Sequence, residues 1–174
     1  MSNKDFEKLV SKLATALSYR ISCELISSSP QNKHLRHHFF FLIRQSLTQS
    51  FIIEVAKVFD SSKTQPNLTV FQFLGNSYPW SPKSKKTMQA LKNFRDKFLM
   101  HNDLVASRDI TEFLKNIGLT PDSVMSLSEE AFTQLGKLAE TDRSLKFGIN
   151  SMASIKLRTE KSFKDFLQTK DGRA

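Results

Sequence analysis

Apolar residues recur at spacings of three and four along most of this chain, the period of an amphipathic helix. Phe6, Leu9, Val10, Leu13, Leu17 and Ile21 predict a first helix over about 4–26, and Ser27-Ser28-Ser29-Pro30 ends it. A second helix over about 33–59 is apolar around most of its circumference, from Phe39, Phe40, Phe41, Leu42 and Ile43 to Phe51, Ile52, Ile53 and Val55. Such a helix sits in the middle of a bundle or serves two interfaces at once. The stretch 60–82, punctuated by Pro66, Gly75, Pro79 and Pro82, reads as a loop holding a short helix of Val70, Phe71, Phe73 and Leu74. Met88, Leu91, Phe94 and Phe98 predict a third long helix over about 84–101. Ser107 suits an N-cap for a further helix with Ile110, Phe113, Leu114 and Ile117 inward, stopped at Gly118. Thr120 and Pro121 open the next element, which runs to about Thr141. A last helix is expected over about 143–168, with a frayed polar tail at 169–174. The pattern predicts an all-α, up-and-down bundle of about four to six helices in one domain spanning 1–174.

Composition narrows the class. The chain has 174 residues, enough for a real core, with only five Gly and five Pro, which favours helices with short connections. Fifteen Phe stand against two Tyr and one Trp, so most aromatic mass lacks a polar handle and belongs in a core or an apolar contact surface. The single cysteine, Cys23, cannot form an internal disulfide and reads as a small buried residue. No apolar run is long enough for a membrane span, and the N-terminus lacks the apolar core of a signal peptide; a cytoplasmic location is expected. A net charge of +9 points to a polyanionic partner, nucleic acid before anionic membrane.

The candidate chemistry gathers in Asn93-Phe94-Arg95-Asp96-Lys97-Phe98-Leu99-Met100-His101-Asn102-Asp103. Arginine grips phosphate oxygens through a planar fork, and histidine exchanges a proton near neutral pH. On an ideal α-helix Arg95 and His101 lie about 120° apart with ~9 Å of rise. Either His101 sits at or past the helix end, or the site is composite, with the two residues drawn from different subunits. Asp96 is suited to orient Arg95 or to accept a hydrogen bond from a histidine, or is a surface carboxylate balancing Lys92, four residues earlier. Asn102 either donates to a phosphate or caps the helix end. Asp60 falls at the C-terminal end of the second helix, where the macrodipole disfavours a carboxylate, so it calls for a cation such as Arg95. Lys85, Lys86, Lys92 and Lys97 make the third long helix basic and are the expected RNA contacts. His34 and His38 share the four-residue spacing of a zinc pair, yet no second ligand cluster accompanies them, so no metal and no cofactor is expected. Tyr78 and Trp80, between prolines, either stack on a base or cover the core.

The Arg-polar-x4-His pattern at Arg95, Asp96 and His101 resembles the motif of the HEPN superfamily, small all-helical domains of which many are metal-independent ribonucleases. Ser46 to Asp60, SLTQSFIIEVAKVFD, followed by a loop and LTVFQFL at 68–74, is similar to the abortive-infection AbiU-like branch, and about residues 5–155 follow that order. The resemblance implies a two-fold homodimer with a paired site. It also implies a toxin or effector of a bacterial toxin–antitoxin or phage-defence system, cleaving RNA without metal to leave 2′,3′-cyclic phosphate ends, with Arg95 and His101 as catalytic residues. Some such toxins carry a tyrosine two residues after the histidine that a nucleotidyltransferase antitoxin modifies. Here that position is Asp103, which puts that mode of silencing in doubt while leaving a nucleotidyltransferase or other antitoxin open as a partner. Two rival readings stand beside this one: a non-catalytic HEPN-like module that binds RNA, a nucleotide or a protein, and a helical interaction protein that binds through its Phe-rich faces.

Overall fold

In the computed structural model, which describes residues 2–28, 38–60, 68–99, 110–147 and 152–171, every regular element is helical. The order is α1 (Asn3–Ser28), α2 (His38–Val58), a single turn α3 (Phe71–Leu74), α4 (Pro82–Phe94), α5 (Ile110–Asn116), α6 (Pro121–Thr141) and α7 (Met152–Asp171). α4 runs on into a π-helical turn over Arg95–Leu99. The expected all-α bundle is what forms, with five long helices and two short ones among the described residues.

α1 is the central strut. It packs along α2 and also against α6 and α7, while α4 lies against α6 and α2. The stripe expected from spacing is the buried one: Phe6, Leu9, Val10, Leu13 and Leu17 are all at or near zero exposure. Facing them are Phe51, Ile52 and Val55 of α2, Leu91 and Phe94 of α4, and Val124, Leu127 and Leu135 of α6. α2 divides in two. Its C-terminal half is core, whereas Phe41 and Leu42 near its start are 56% and 46% exposed.

Local chemistry explains the ends. Ser81 caps α4, accepting from the Ser84 backbone N–H at 3.1 Å, with Pro82 in the first turn. The helix thus starts two residues before the expected Ser84. Thr120 opens α6 in a reciprocal box with Ser123. α5 closes as the spacing predicted: Gly118 has φ +69°, the Leu119 N–H reaches the Leu114 carbonyl at 2.9 Å, and the Gly118 N–H reaches that of Lys115 at 3.0 Å. A side chain at that φ would be strained, which is why glycine stops the helix.

The last helix departs from expectation, starting at Met152 instead of about Arg143. Asp142 ends α6, and its carboxylate accepts from the Ser144 backbone N–H at 2.9 Å and from the Ser144 hydroxyl at 2.6 Å. Asn3 of α1 accepts from the Lys146 N–H at 2.7 Å. These bonds compete with helix formation for the same backbone groups, and they turn Phe147 onto Phe132 and Phe6, at ring separations of 4.9 and 6.4 Å.

Candidate functional site

Arg95 stands where α4 changes its winding. Its backbone N–H is shared between the carbonyls of Leu91 and Lys92, and the π turn begins with it. Such turns are rare and occur disproportionately at functional positions. The π turn also removes the premise of uniform α geometry behind the 120° separation of Arg95 and His101. His101, Asn102 and Asp103 lie outside the described residues, as do His34, His37 and Ser107.

The guanidinium of Arg95 meets two carboxylates. Nη1 donates to Asp60 across the α2–α4 boundary. Nε donates to Asp96 at 2.8 Å, and Nη2 donates to the same oxygen. The side chains of Arg95 and Asp60 are 18% and 6% exposed, while Asp96 is 43% exposed. Asp60 sits just past the C-terminus of α2, where the unsatisfied carbonyls repel a carboxylate. Arg95 offsets that repulsion, so the pair ties the end of α2 to the end of α4.

Beside this pair opens a cleft of about 290 Å³, between the end of α2 and one face of α4, with α3 closing it. Lys85, Met88 and Lys92 line it from α4 at helical spacing and Arg95 from the π turn that follows; Phe59 and Asp60 line it from just past the end of α2, and Phe71 from α3. Lys85 and Lys92 are exposed, and neither forms an ion pair among the described residues. Of the expected RNA contacts, the structure therefore brings Lys85 and Lys92 together with Arg95. Lys86 and Lys97 are exposed but do not line the cleft. Gln89, Met88 and Phe71 are lining residues that the sequence did not mark as functional, because polar or apolar character at a helical position does not reveal which groove it meets.

The wall behind the cleft is aromatic. Trp80 packs edge-on against Phe59 and Phe71, at 5.7 and 6.4 Å between centroids, and against Tyr78 at 4.6 Å. Trp80 is only 5% exposed, so it covers the core and offers no free face to a base. Burial pushes the Tyr78 hydroxyl above its ordinary range, and the nearby charge of Glu130 adds to the effect.

Glu130 of α6 is the polar anchor that sequence reading missed. It accepts from the Ser81 backbone N–H at 3.2 Å, the Ser81 hydroxyl at 2.9 Å and the Ser84 hydroxyl at 2.5 Å. Burial works to raise its pKa, but the hydrogen bonds from Ser84 and Ser81 outweigh it and hold the carboxyl below the ordinary range. A carboxylate at the N-terminus of α4 is also favoured by the macrodipole. This contact sets α4, and hence the row Lys85, Met88, Lys92 and Arg95, against α6.

A second cleft, of about 540 Å³, lies between α1, α6 and α7 and carries Glu24, Glu129 and Glu160 against one cation, Lys156. Its charge repels a polyanion, in contrast to the α2–α4 cleft. Cys23 is buried, with its sulfur 3.5 Å from the Thr48 hydroxyl. Among the described residues no group of three or more His, Cys, Asp or Glu converges as metal ligands, and no helix is long and apolar enough to cross a membrane. No family model, no curated protein and no solved structure matches the chain.

Proposed function

We propose that this protein is a metal-independent endoribonuclease of HEPN type, acting in the cytoplasm as the toxin or effector of a bacterial toxin–antitoxin or phage-defence system. The observation that carries the reading is the position of Arg95: it opens a π turn at the rim of a basic cleft, six residues before His101. In the reaction the resemblance implies, His101 helps remove the proton of a ribose 2′-hydroxyl. That oxygen attacks the adjacent phosphorus, and the 5′-oxygen of the next nucleotide leaves. Arg95 stabilises the added negative charge on the phosphorane, where a cation contributes more than in the ground state. The products are a 2′,3′-cyclic phosphate and a 5′-hydroxyl.

The exposure of Phe41 and Leu42 on α2 supports a homodimer as the working unit, since apolar helix surface open to water favours a second chain. A nucleotidyltransferase or other antitoxin completes the proposed set of partners.

A second reading has its own observation. Arg95 is held by both Asp60 and Asp96, so an incoming phosphate must compete with two carboxylates. That favours a non-catalytic HEPN-like module that binds RNA, a nucleotide or a protein. The deciding experiment is cleavage of total RNA with and without EDTA, by wild type and by His101→Ala. Cleavage that survives EDTA and is lost in His101→Ala supports the nuclease. Equal cleavage by both proteins overturns the role of His101 and transfers the case to the binding module.

A further inference from the structure

The lining of the cleft beside Arg95 is of two chemical kinds. One is apolar: Phe71 and Met88 are half-buried and present surface over the buried Phe59 and Leu91. The other is charged and net cationic: Lys85 and Lys92 are exposed, and Arg95 is ion-paired with Asp60, which lines the cleft as well. Gln89 lines the same cleft, its amide donating to Asn93 at 3.2 Å. The volume of about 290 Å³ lies at the small end of ligand sites, which span ~300–1,000 Å³. A ligand that satisfies both kinds of lining is a flat, apolar-faced body joined to a phosphate.

We infer that this cleft is a mononucleotide subsite: it takes one unstacked nucleobase against Phe71 and Met88 and that nucleotide's phosphate among Lys85, Lys92 and Arg95. The inference deepens the ribonuclease reading, and it rests on that reading for the identification of the occupant as part of an RNA chain. It names the substrate class as single-stranded or looped RNA. A base stacked inside an A-form duplex cannot enter, whereas an unpaired base turns out freely onto an apolar face. Lys85 and Lys92 form no ion pair among the described residues, so the anion gains their attraction while Arg95 stays paired with Asp60 and offsets that carboxylate's repulsion within the cleft. Gln89 supplies donor and acceptor groups for the edge of the base.

The test is equilibrium dialysis of the whole chain with four probes: 5′-AMP, 5′-UMP, adenosine and inorganic phosphate. The two nucleotides are expected to bind about tenfold or more tightly than either adenosine or phosphate. Lys85→Gln/Lys92→Gln, which changes only exposed positions, is expected to weaken nucleotide binding by about tenfold and leave adenosine unchanged. Phe71→Leu keeps apolar volume and loses the flat face, and is expected to weaken the nucleotides several-fold while phosphate binds as before. Phosphate binding as tightly as 5′-AMP, or nucleotide binding that ignores the lysine pair, overturns the inference. The two readings fail separately. A chain that binds nucleotides in this pattern but never cleaves RNA loses the nuclease and keeps the subsite. A chain that cleaves single-stranded RNA at a rate indifferent to all three substitutions keeps the nuclease and loses the subsite.

Discussion

Replacing Asp60 by alanine isolates the contact on which the cleft is built. The substitution leaves the Arg95 guanidinium, 18% exposed, with Asp96 as its one remaining carboxylate among the described residues. Removing one member of a fully buried ion pair costs about 3–5 kcal/mol, because the other charge stays desolvated. Arg95 is not fully buried and retains a partner, so the expected loss is nearer to about 2–3 kcal/mol. For a domain of this size each kcal/mol lowers Tm by about 2–4 °C, which places the drop at about 4–12 °C. Arg95→Ala should cost a similar amount, since it takes the guanidinium away from the Asp60 carboxylate, 6% exposed, at the carbonyl end of α2. The double variant should be less destabilised than the sum of the two by about 2 kcal/mol. Urea unfolding followed by the fluorescence of Trp80, the only tryptophan, measures all three, with a shifted midpoint and an unchanged slope as the signature. Additive costs, or an Asp60→Ala protein within about 0.5 kcal/mol of wild type, would refute the pairing argument. The result also governs how catalysis is tested. Arg95→Ala alone confounds lost activity with lost stability, so Arg95→Gln is better read in an Asp60→Asn background.

Three further outcomes follow from the geometry. RNA affinity should fall steeply with salt through counterion release, and Lys85→Glu should weaken it more than Lys86→Glu, because only Lys85 lines the cleft; filter binding across a salt series would show it, and equal effects would argue against the cleft as the contact. Glu130→Gln should cost about 2 kcal/mol at pH 7 by weakening hydrogen bonds to a charged acceptor; since the folded carboxyl titrates below its ordinary 4.5, that contribution is fully present above pH 4.5 and disappears as pH falls through the folded value, so melting curves of the two proteins should converge in acid. Phe41→Asp/Leu42→Asp should shift light scattering from dimer to monomer with little change in helicity, and an unaltered mass would exclude this face of α2 from the interface.

Much of the fold was legible in the chain itself. The spacing of Phe6, Leu9, Leu13 and Leu17 picks out the buried face of α1 because a helix repeats every 3.6 residues wherever it packs. Gly118 and Thr120-Pro121 mark their boundaries because the groups they satisfy are local backbone groups. Asp60 could be assigned a need for a cation for the same reason: the repulsion at the end of α2 is intrahelical. Other features depended on partners distant in sequence. The loop at 142–147 is held partly by Asn3, more than 140 residues away, which no helical period can register. No periodicity marks Glu130, whose role comes from α6 lying against Ser81 and Ser84. The union of Lys85 and Lys92 with Phe71 and Asp60 likewise exists only once α2, α3 and α4 are packed, and no sequence period marks the π turn at Arg95. Periodicity determines which side of each helix turns inward; which helices then meet, and which charges and apolar faces share a cleft, is decided by how those inward faces fit together in space.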